Sequence, residues 1–342
     1  MIVDILTLLF RHHQGGVTRL EHMASVGVAA GTGAGAAPRV RVRATADSTQ
    51  TLVTTLAGIV EAVADDTTEA FNSSIDSAFN LSTLQSNLTS SYLGKSAAST
   101  KSISSTHTTL VDHARKLPAG FVLLADEQTA GIGRLNNTWE SPTGCLMLSA
   151  KLPLPSSSPQ FMQYLVSIAI AQAASESLNN AIDTRLKWPN DVLLRKHKLA
   201  GVLTSVASDG IIIGFGLNVR NNTSIGTSLK DHVLPEQTLE PNEVLAARVL
   251  SRTEALLHQM QRDGWQSIEP VYLRMWLHSG QRVRINTNQS SSGGRAGVDV
   301  TIRGLTDSGY LLAVEDKTGS RHELHPAGTS LDLDNATLIS KR

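Results

Sequence analysis

Cysteine is nearly absent from this chain of 342 residues, which contains a single one, Cys145. One thiol cannot form an internal disulfide, and it cannot build a cysteine-based zinc site, so a reducing compartment is expected. Cys145 begins the apolar run CLMLSAKL, which predicts a buried strand. We therefore interpret it as an inert packed thiol, although a nucleophile is the alternative that the residue type allows.

An excess of charge and a long apolar run are also lacking. The chain has 30 basic and 30 acidic residues, so no global field draws it to nucleic acid or to an anionic membrane. The apolar start, MIVDILTLLF, is too short to span a bilayer, which takes about 20 residues. We expect neither a nucleic acid nor a membrane among the partners, and any anion must be bound by a local site.

Large apolar side chains are scarce in residues 1–95, where Ala, Ser, Thr, Gly and Asn dominate. This composition predicts a low-complexity extension with one helix, TLVTTLAGIVEAVAD, and without a DNA-reading domain. Its first part is rich in Ala, Gly, Ser and Arg and poor in acids, as organellar presequences are. A presequence and an unstructured tail both stay open, so we expect a cytoplasmic protein with mitochondrial import as the alternative.

From about residue 101 the pattern is that of an α+β fold with a mixed or antiparallel sheet flanked by helices. Strands are predicted at GFVLLADEQ, CLMLSAKL, TRLKW, DVLLR, KLAGVLTSVAS and GIIIGFGLNV, and long helices at QFMQYLVSIAIAQAASESLNN and PNEVLAARVLSRTEALLHQM. After residue 279 the sequence alternates apolar and polar residues between turn signals, which predicts a small all-β module. The expected domains are the extension 1–95, a catalytic or binding domain 96–278 and the β module 279–335.

The loop GIGRLNNTWESPTGC, residues 131–145, carries several residues suited to a ligand. Gly131 and Gly133 allow close approach of the backbone, Arg134 offers a planar fork for phosphate or carboxylate, and Trp139 can stack on a flat ring. The loop is neither a Walker A loop nor a dinucleotide fingerprint. Taken alone, it leaves an anion-binding loop and a surface Ω-loop anchored by a buried tryptophan equally open.

Three later stretches add polar groups. RLKWPNDVLL presents Lys187, Asn190 and Asp191 on a turn. KLAGVL opens with Lys198, which is a solvated strand end or, if it points inward, a cation in a low dielectric. GFGLNV places two glycines inside a strand, which indicates close approach of a ligand or another part of the chain.

In this order and spacing, EQTAGIGRLNNTWESPTGCLMLS, KWPNDV, KLAGVL and GFGLNV resemble the catalytic domain of the biotin protein ligases, or holocarboxylase synthetases. The resemblance covers residues 101–332 and implies a class II synthetase-like domain followed by a small β-barrel. It implies that biotin and ATP, with Mg²⁺, form biotinyl-5′-AMP, and that biotin then passes to one lysine of an acceptor domain. The implied acceptors are domains of acetyl-CoA, propionyl-CoA, methylcrotonyl-CoA or pyruvate carboxylase.

The resemblance also implies roles for individual residues. For biotin they are Ser105, Thr106, Gln128, Gly131, Gly133, Arg134 and Lys198; for ATP and the adenylate, Arg134, Trp139, Lys187, Asn190 and Asn218; for catalysis, Lys198, Arg134 and Asp191. Asp191 is further implied to hold the metal or to orient the incoming lysine. Ile132 stands where many members have a basic residue, so Arg134 is the loop's only cation, which bears on how tightly the adenylate is retained.

Three other functions share some of these features. A lipoate or octanoyl transferase would have the same fold, but KWPND and the loop tryptophan favour biotin. A ligase that is also a repressor would need a DNA-reading domain within residues 1–95. A non-catalytic biotin-binding module is the third alternative, because the loop lacks basic residues that many members of the family have, such as the one replaced by Ile132.

Overall fold

The computed structural model of the chain describes residues 39–42, 72–75, 77–154, 159–287, 296–326, 329–332 and 337–340. The helix predicted in TLVTTLAGIVEAVAD lies outside the described residues, as does the stretch of presequence-like composition apart from Arg39–Val42. None of the described helices combines the length and the apolar character that crossing a bilayer requires.

The larger sheet contains nine strands within the described residues. In chain order they are β1 (Arg39–Val42), β2 (Asn72–Ile75), β3 (Ala97–Ile103), β4 (Val122–Gln128), β5 (Cys145–Leu152), β6 (Thr184–Lys187), β7 (Asp191–Leu194), β8 (His197–Ala207) and β9 (Gly210–Asn218). The spatial order is β1-β2-β3-β4-β5-β9-β8-β7-β6. β1 to β4 run parallel, and every neighbouring pair from β4 onward is antiparallel.

The centre of this sheet is covered on both faces, which explains its apolar strands. Every residue of β5 and β9 is buried, as expected for strands with packed layers above and below. The sequence predicts no strand at β3, because AASTKSI has a single large apolar residue, Ile103, and no apolar alternation. β3 is formed by pairing with β4 and not by a strong local preference.

Five α-helices lie among the described residues. They are α1 (Leu81–Asn87), α2 (Thr106–Asp112), α3 (Gln160–Ser177), α4 (Asn242–Asp263) and α5 (Glu269–Met275). α3 is buried on nearly every side, because it lies between strands β6 to β8 and α4. α2 packs on the opposite face of the sheet, over a smaller apolar cluster that includes Leu110, Phe121 and Ile212.

Residues 77–95 pack against α4. Leu84 and Leu93 are fully buried in the same core as α3. The carboxylate of Glu254 on α4, itself 3% exposed, accepts hydrogen bonds from the backbone and hydroxyl of Ser91, from Tyr92 N (3.1 Å) and from Leu93 N (2.8 Å). The domain limits at residues 95 and 278 stay predictions, and the end of the expected extension joins the core of the larger sheet.

A second sheet forms the C-terminal module. Its strands are β10 (Arg282–Thr287), β11 (Ala296–Leu305), β12 (Leu311–Glu315), β13 (Arg321–Leu324), β14 (Thr329–Asp332) and β15 (Thr337–Ser340), in the order β13-β12-β11-β10-β15-β14. Its apolar residues continue the main core, and Tyr164 of α3 donates a hydrogen bond to Gly309 O at 2.6 Å. The predicted α+β class, with a mixed sheet and a C-terminal all-β module, is confirmed.

Candidate active site

The candidate site is a pocket on the α2 face of the larger sheet. Strands β5, β8 and β9 form its floor, the start of α2 forms one wall, and the loop between β4 and β5 covers it. Nine of the predicted site residues line this pocket. They are Ser105, Thr106, Gln128, Gly133, Arg134, Trp139, Asn190, Asp191 and Lys198.

Three glycines make the floor flat. Gly214 and Gly216 lie on β9, and Gly201 on β8 is the cross-strand neighbour of Gly216. The indole of Trp139 rests on this floor so closely that a Cβ atom at Gly216 would lie 2.1 Å from Nε1 of Trp139. At Gly216 the close approach predicted from the strand glycines is therefore that of the loop tryptophan, and at Gly214 it is that of His107 and Ser149.

One end of the pocket is a neutral hydrogen-bonded network. Gln128 Oε1 accepts from Thr106 N at 2.8 Å and from Thr106 Oγ1 at 3.0 Å. Thr106 Oγ1 in turn lies 2.8 Å from Ser149 Oγ of β5, and Gln128 Nε2 donates to Ser141 Oγ at 2.9 Å. Because these side chains hold one another, their orientation is set before a ligand arrives. Ser105 caps α2 beside them, although its bond to Thr108 N is long at 3.4 Å.

The covering loop folds back on itself. Trp139 N donates to Gly131 O at 2.9 Å and Gly133 N donates to Asn137 O at 2.7 Å, so the tip is a tight hairpin. Gly131 has no room for a side chain, since a Cβ atom there would lie 2.5 Å from Ser141 Oγ. Gly131 lies outside the pocket lining, and its close approach is to the loop's own atoms.

The other end of the pocket is charged. Lys198 Nζ lies 2.7 Å from Asp191 Oδ1 and 5.2 Å from the ring centroid of Trp139. Lys198 therefore points inward, so the solvated strand end that the sequence left open is the wrong interpretation. Its ammonium is held between a carboxylate and an aromatic face.

Arg134 connects the loop to two other parts of the chain. Its Nη1 donates to Asn190 Oδ1 at 3.3 Å, and its Nη2 donates to the carbonyl oxygen of Pro326 in the C-terminal module. Asn190 is fixed from below by its own bond from Nδ2 to Val202 O, 2.7 Å. Burial lowers the pKa of the Arg134 guanidinium, and the nearby carboxylate of Asp191 opposes that shift.

Besides Gly131, two predicted residues lie outside the pocket. Lys187 is the cross-strand neighbour of Asp191 but does not line the cavity. Asn218, two residues beyond Gly216, is 3% exposed, and its Oδ1 accepts from Asn221 Nδ2 at 3.0 Å. Burial raises the pKa of Cys145 to about 12, as expected for an inert thiol.

Four polar residues of the pocket are absent from the predicted site: Asn137 and Thr138 of the covering loop, and His107 and Ser149. A signal for the last two was present. Ser149 interrupts the apolar run CLMLSAKL, and His107 completes SSTH directly after the two residues that were singled out. Only the fold shows that both side chains face the cavity.

The metal prediction has limited support from the donor set. Within the described residues, no group of three or more His, Cys, Asp or Glu side chains is placed to hold a metal ion. Asp191 is a single carboxylate and is already paired with Lys198. Mg²⁺ in such sites takes most of its oxygens from water and substrate phosphates, so the chain alone makes no dedicated magnesium site in this part.

Comparison with known proteins gives matches over the same region. The model of the biotin/lipoate A/B protein ligase family matches residues 99–218. Biotin–protein ligase 2 of Arabidopsis thaliana is 36% identical over 270 residues, which is 75% of this chain and 81% of that protein. Chloroplastic biotin–protein ligase 1 of the same plant is 35% identical over 270 residues, 75% of this chain and 72% of that protein.

Among solved structures, the biotin protein ligase from Aquifex aeolicus in complex with biotin and ATP is similar with a TM-score of 0.56. It covers 72% of this chain and 99% of its own, at 23% sequence identity. At that identity the likeness concerns the fold.

Proposed function

This chain belongs to the biotin protein ligase family, and from that premise we propose that it joins biotin and ATP into biotinyl-5′-AMP and then transfers biotin to an acceptor lysine. The observation that carries the proposal is the division of one pocket into a neutral network and a charged end, with Trp139 beside the charged end. Biotin has the same division, since its ring system is neutral and its tail ends in a carboxylate.

In the first step the biotin carboxylate attacks the α-phosphate of ATP and pyrophosphate leaves. Negative charge accumulates on the phosphate oxygens in the transition state, so cations fixed nearby lower the barrier. Arg134 and Lys198 are both at the charged end, and each is held by partners that are part of the fold. We assign them to the phosphate, with the ring of biotin at Thr106 and Gln128.

In the second step the ε-amine of the acceptor lysine attacks the carbonyl carbon of the mixed anhydride, and AMP leaves. The amine carries a positive charge before it loses its proton, and we assign Asp191, at the charged end, to attract and orient it. The ion pair with Lys198, at 2.7 Å, fixes the orientation of this carboxylate at the charged end of the pocket.

The mixed anhydride also has to be protected from water between the two steps. The loop between β4 and β5 covers the pocket, and its contacts from Arg134 to Asn190 and Pro326 close it against both the sheet and the C-terminal module. Exclusion of water by such a loop is a common device of enzymes with reactive intermediates.

The acceptor and the compartment are further parts of the proposal. We propose the biotin domains of acetyl-CoA, propionyl-CoA, methylcrotonyl-CoA or pyruvate carboxylase as acceptors, in the cytoplasm or after import into mitochondria. One relative carries the word chloroplastic in its name, so an organelle form is recorded in the family. Mass spectrometry of the mature N-terminus from cells distinguishes the two locations, because import with cleavage would shorten the chain.

The direct test is ATP–pyrophosphate exchange with biotin or lipoate as the acid. Exchange that depends on biotin, and that Lys198→Ala abolishes, is the expected result. Lys196→Ala is the matched control, because Lys196 is exposed in the turn before β8 and outside the pocket. Exchange that prefers lipoate, or that survives in Lys198→Ala, contradicts the proposal.

A further inference from the structure

His107 is a buried polar side chain of the pocket to which neither the motifs nor the proposed reaction gives a role. It follows Thr106 in the first turn of α2 and is 5% exposed. Its Nε2 lies 2.8 Å from Ser205 Oγ on β8. Its Nδ1 has no hydrogen-bond partner among the described residues, although the atom is buried.

An unpaired buried nitrogen is unusual, since nearly all buried polar atoms of native proteins are hydrogen-bonded. In a pocket, such an atom indicates a partner that arrives with the ligand. The geometry around Gly214 supports this interpretation. A Cβ atom at Gly214 would lie 2.8 Å from Nδ1 of His107 and 2.9 Å from Oγ of Ser149. Nδ1 of His107 and Oγ of Ser149 therefore lie close together over Gly214, where only a glycine lets both atoms approach the strand.

The protonation of His107 restricts the ligand group that fits there. Burial lowers the pKa of His107 to about 4, so the ring is neutral at cellular pH. A neutral imidazole has one donor and one acceptor nitrogen, and Ser205 can serve either at Nε2. Nδ1 thus accepts from an N–H group or donates to a carbonyl, and it offers no charge to an anion.

The neighbouring groups are also neutral. Ser149 Oγ is bonded to Thr106 Oγ1, which is bonded to Gln128 Oε1. A ring that carries an N–H donor beside a carbonyl acceptor can bond to His107 and to this network at once. A cyclic urea has both groups on adjacent atoms, whereas a carboxylate, a phosphate or a disulfide ring does not.

We propose that His107 is a specificity-determining residue of this site and that its Nδ1 hydrogen-bonds the ureido ring of biotin above Gly214. The inference rests on the proposed function and adds to it a residue that selects the ring end of the substrate.

Two substitutions test the two nitrogens of the His107 ring independently. In His107→Asn the amide group lies near the position of Nδ1, and in His107→Gln it lies near the position of Nε2. We expect His107→Gln to weaken biotin binding about 10-fold or more, and His107→Asn to stay within about 3-fold of the wild type. Isothermal titration with biotin measures both values, and the KM for ATP should be unchanged in each variant.

Desthiobiotin is a useful second probe, because it keeps the cyclic urea and lacks the sulfur ring. The same fold loss for desthiobiotin and biotin in His107→Gln supports the ureido contact. Ser205→Ala, which removes the partner of Nε2, should cost less than His107→Gln. Equal binding by the Asn and Gln variants, or tighter binding by Gln, overturns the inference.

A measurement on the wild-type protein tests the same contact and does not depend on whether a variant folds. In protein with ¹⁵N-labelled histidine, biotin should shift the Nδ1 resonance of His107, and ATP alone should leave it in place. No shift at saturating biotin overturns the inference while the proposed function stands. Absence of biotin binding by the wild-type chain instead refutes the proposed function itself.

Discussion

Replacing Gly216 by alanine adds a methyl group that points into the indole of Trp139. The added Cβ would lie 2.1 Å from Nε1, 2.3 Å from Cε2 and 2.8 Å from Cζ2 of that ring. Ordinary van der Waals contact begins at 3.4 Å, so the ring has to retreat by about 1 Å. Misplacement of a positioning group by that amount costs about 10²-fold in rate.

Alanine substitutions at Gly201 and Gly304 are matched controls, because the added Cβ atom is progressively less crowded there than at Gly216. At Gly201 an added Cβ would lie 3.3 Å from Cζ3 of Trp139 and 3.4 Å from Nζ of Lys198, so small shifts accommodate it. At Gly304 in β11 it would meet nothing within 4 Å. We therefore expect biotin-dependent ATP–pyrophosphate exchange to fall about 100-fold in Gly216→Ala, by less than about 10-fold in Gly201→Ala, and hardly at all in Gly304→Ala.

The assay is the exchange rate at several ATP concentrations, together with the melting temperature of each variant. The expected stability cost of overpacking at Gly216 is about 1–3 kcal/mol, and the melting temperature shows whether the variant is folded at 25 °C. Exchange by Gly216→Ala at the rate of Gly304→Ala would refute the reasoning, because it would mean that the position of Trp139 on the glycine floor does not matter for the reaction.

Two further predictions concern the attachment of residues 91–93 to α4 and the covering loop of the pocket. In Glu254→Gln an amide, with one oxygen acceptor and one NH₂ donor, replaces a carboxylate that accepts several hydrogen bonds from residues 91–93. We expect the free energy of unfolding to fall by about 2–4 kcal/mol, measured by thermal unfolding. The control Glu236→Gln, at an exposed position, should change it little. Burial raises the pKa of Glu254, but the hydrogen bonds to the carboxylate lower it by more, so the net shift of the pKa is downward. The stabilisation is therefore present above pH 4.5 and is lost as the pH falls through the pKa of the folded state. Equal acid sensitivity of wild type and variant would contradict this prediction. Arg134→Ala removes the tie to Pro326, and we expect biotinyl-5′-AMP to leave the protein about 10-fold faster in a rapid-filtration assay, an unchanged rate being the contrary result.

Much of the fold could be predicted because its central elements are strongly apolar. CLMLSAKL and GIIIGFGLN are buried over their whole length, and α3 is long and apolar on nearly every side. β3 escaped prediction because its small polar residues prefer no structure and acquire one from their neighbours. The composition of segment 77–95 predicts too few apolar residues for a packed structure, yet its leucines and the Glu254 carboxylate attach it to α4.

The site could be predicted in outline, since the motifs are close in space although far apart in the chain. The wrong assignments are residues that lie near the pocket in the fold but do not line it. Gly131 is needed for the turn of the loop, while Lys187 and Asn218 lie just beyond the cavity at strand ends. Spacing along a strand gives the face of a residue, but only packing decides whether a neighbour such as Trp139 covers it. His107 follows Ser105 and Thr106 in SSTH, but that position alone does not distinguish a pocket histidine from a core residue before the fold is known.

The lone thiol has a practical consequence for observing this protein. Cys145 is 3% exposed with a pKa raised to about 12, so thiol-directed dyes will react with it slowly. Leu135 at the tip of the covering loop is 46% exposed. A dye attached to Leu135→Cys would therefore label one defined position without prior removal of a native cysteine, and its emission would follow the closing of the loop in real time.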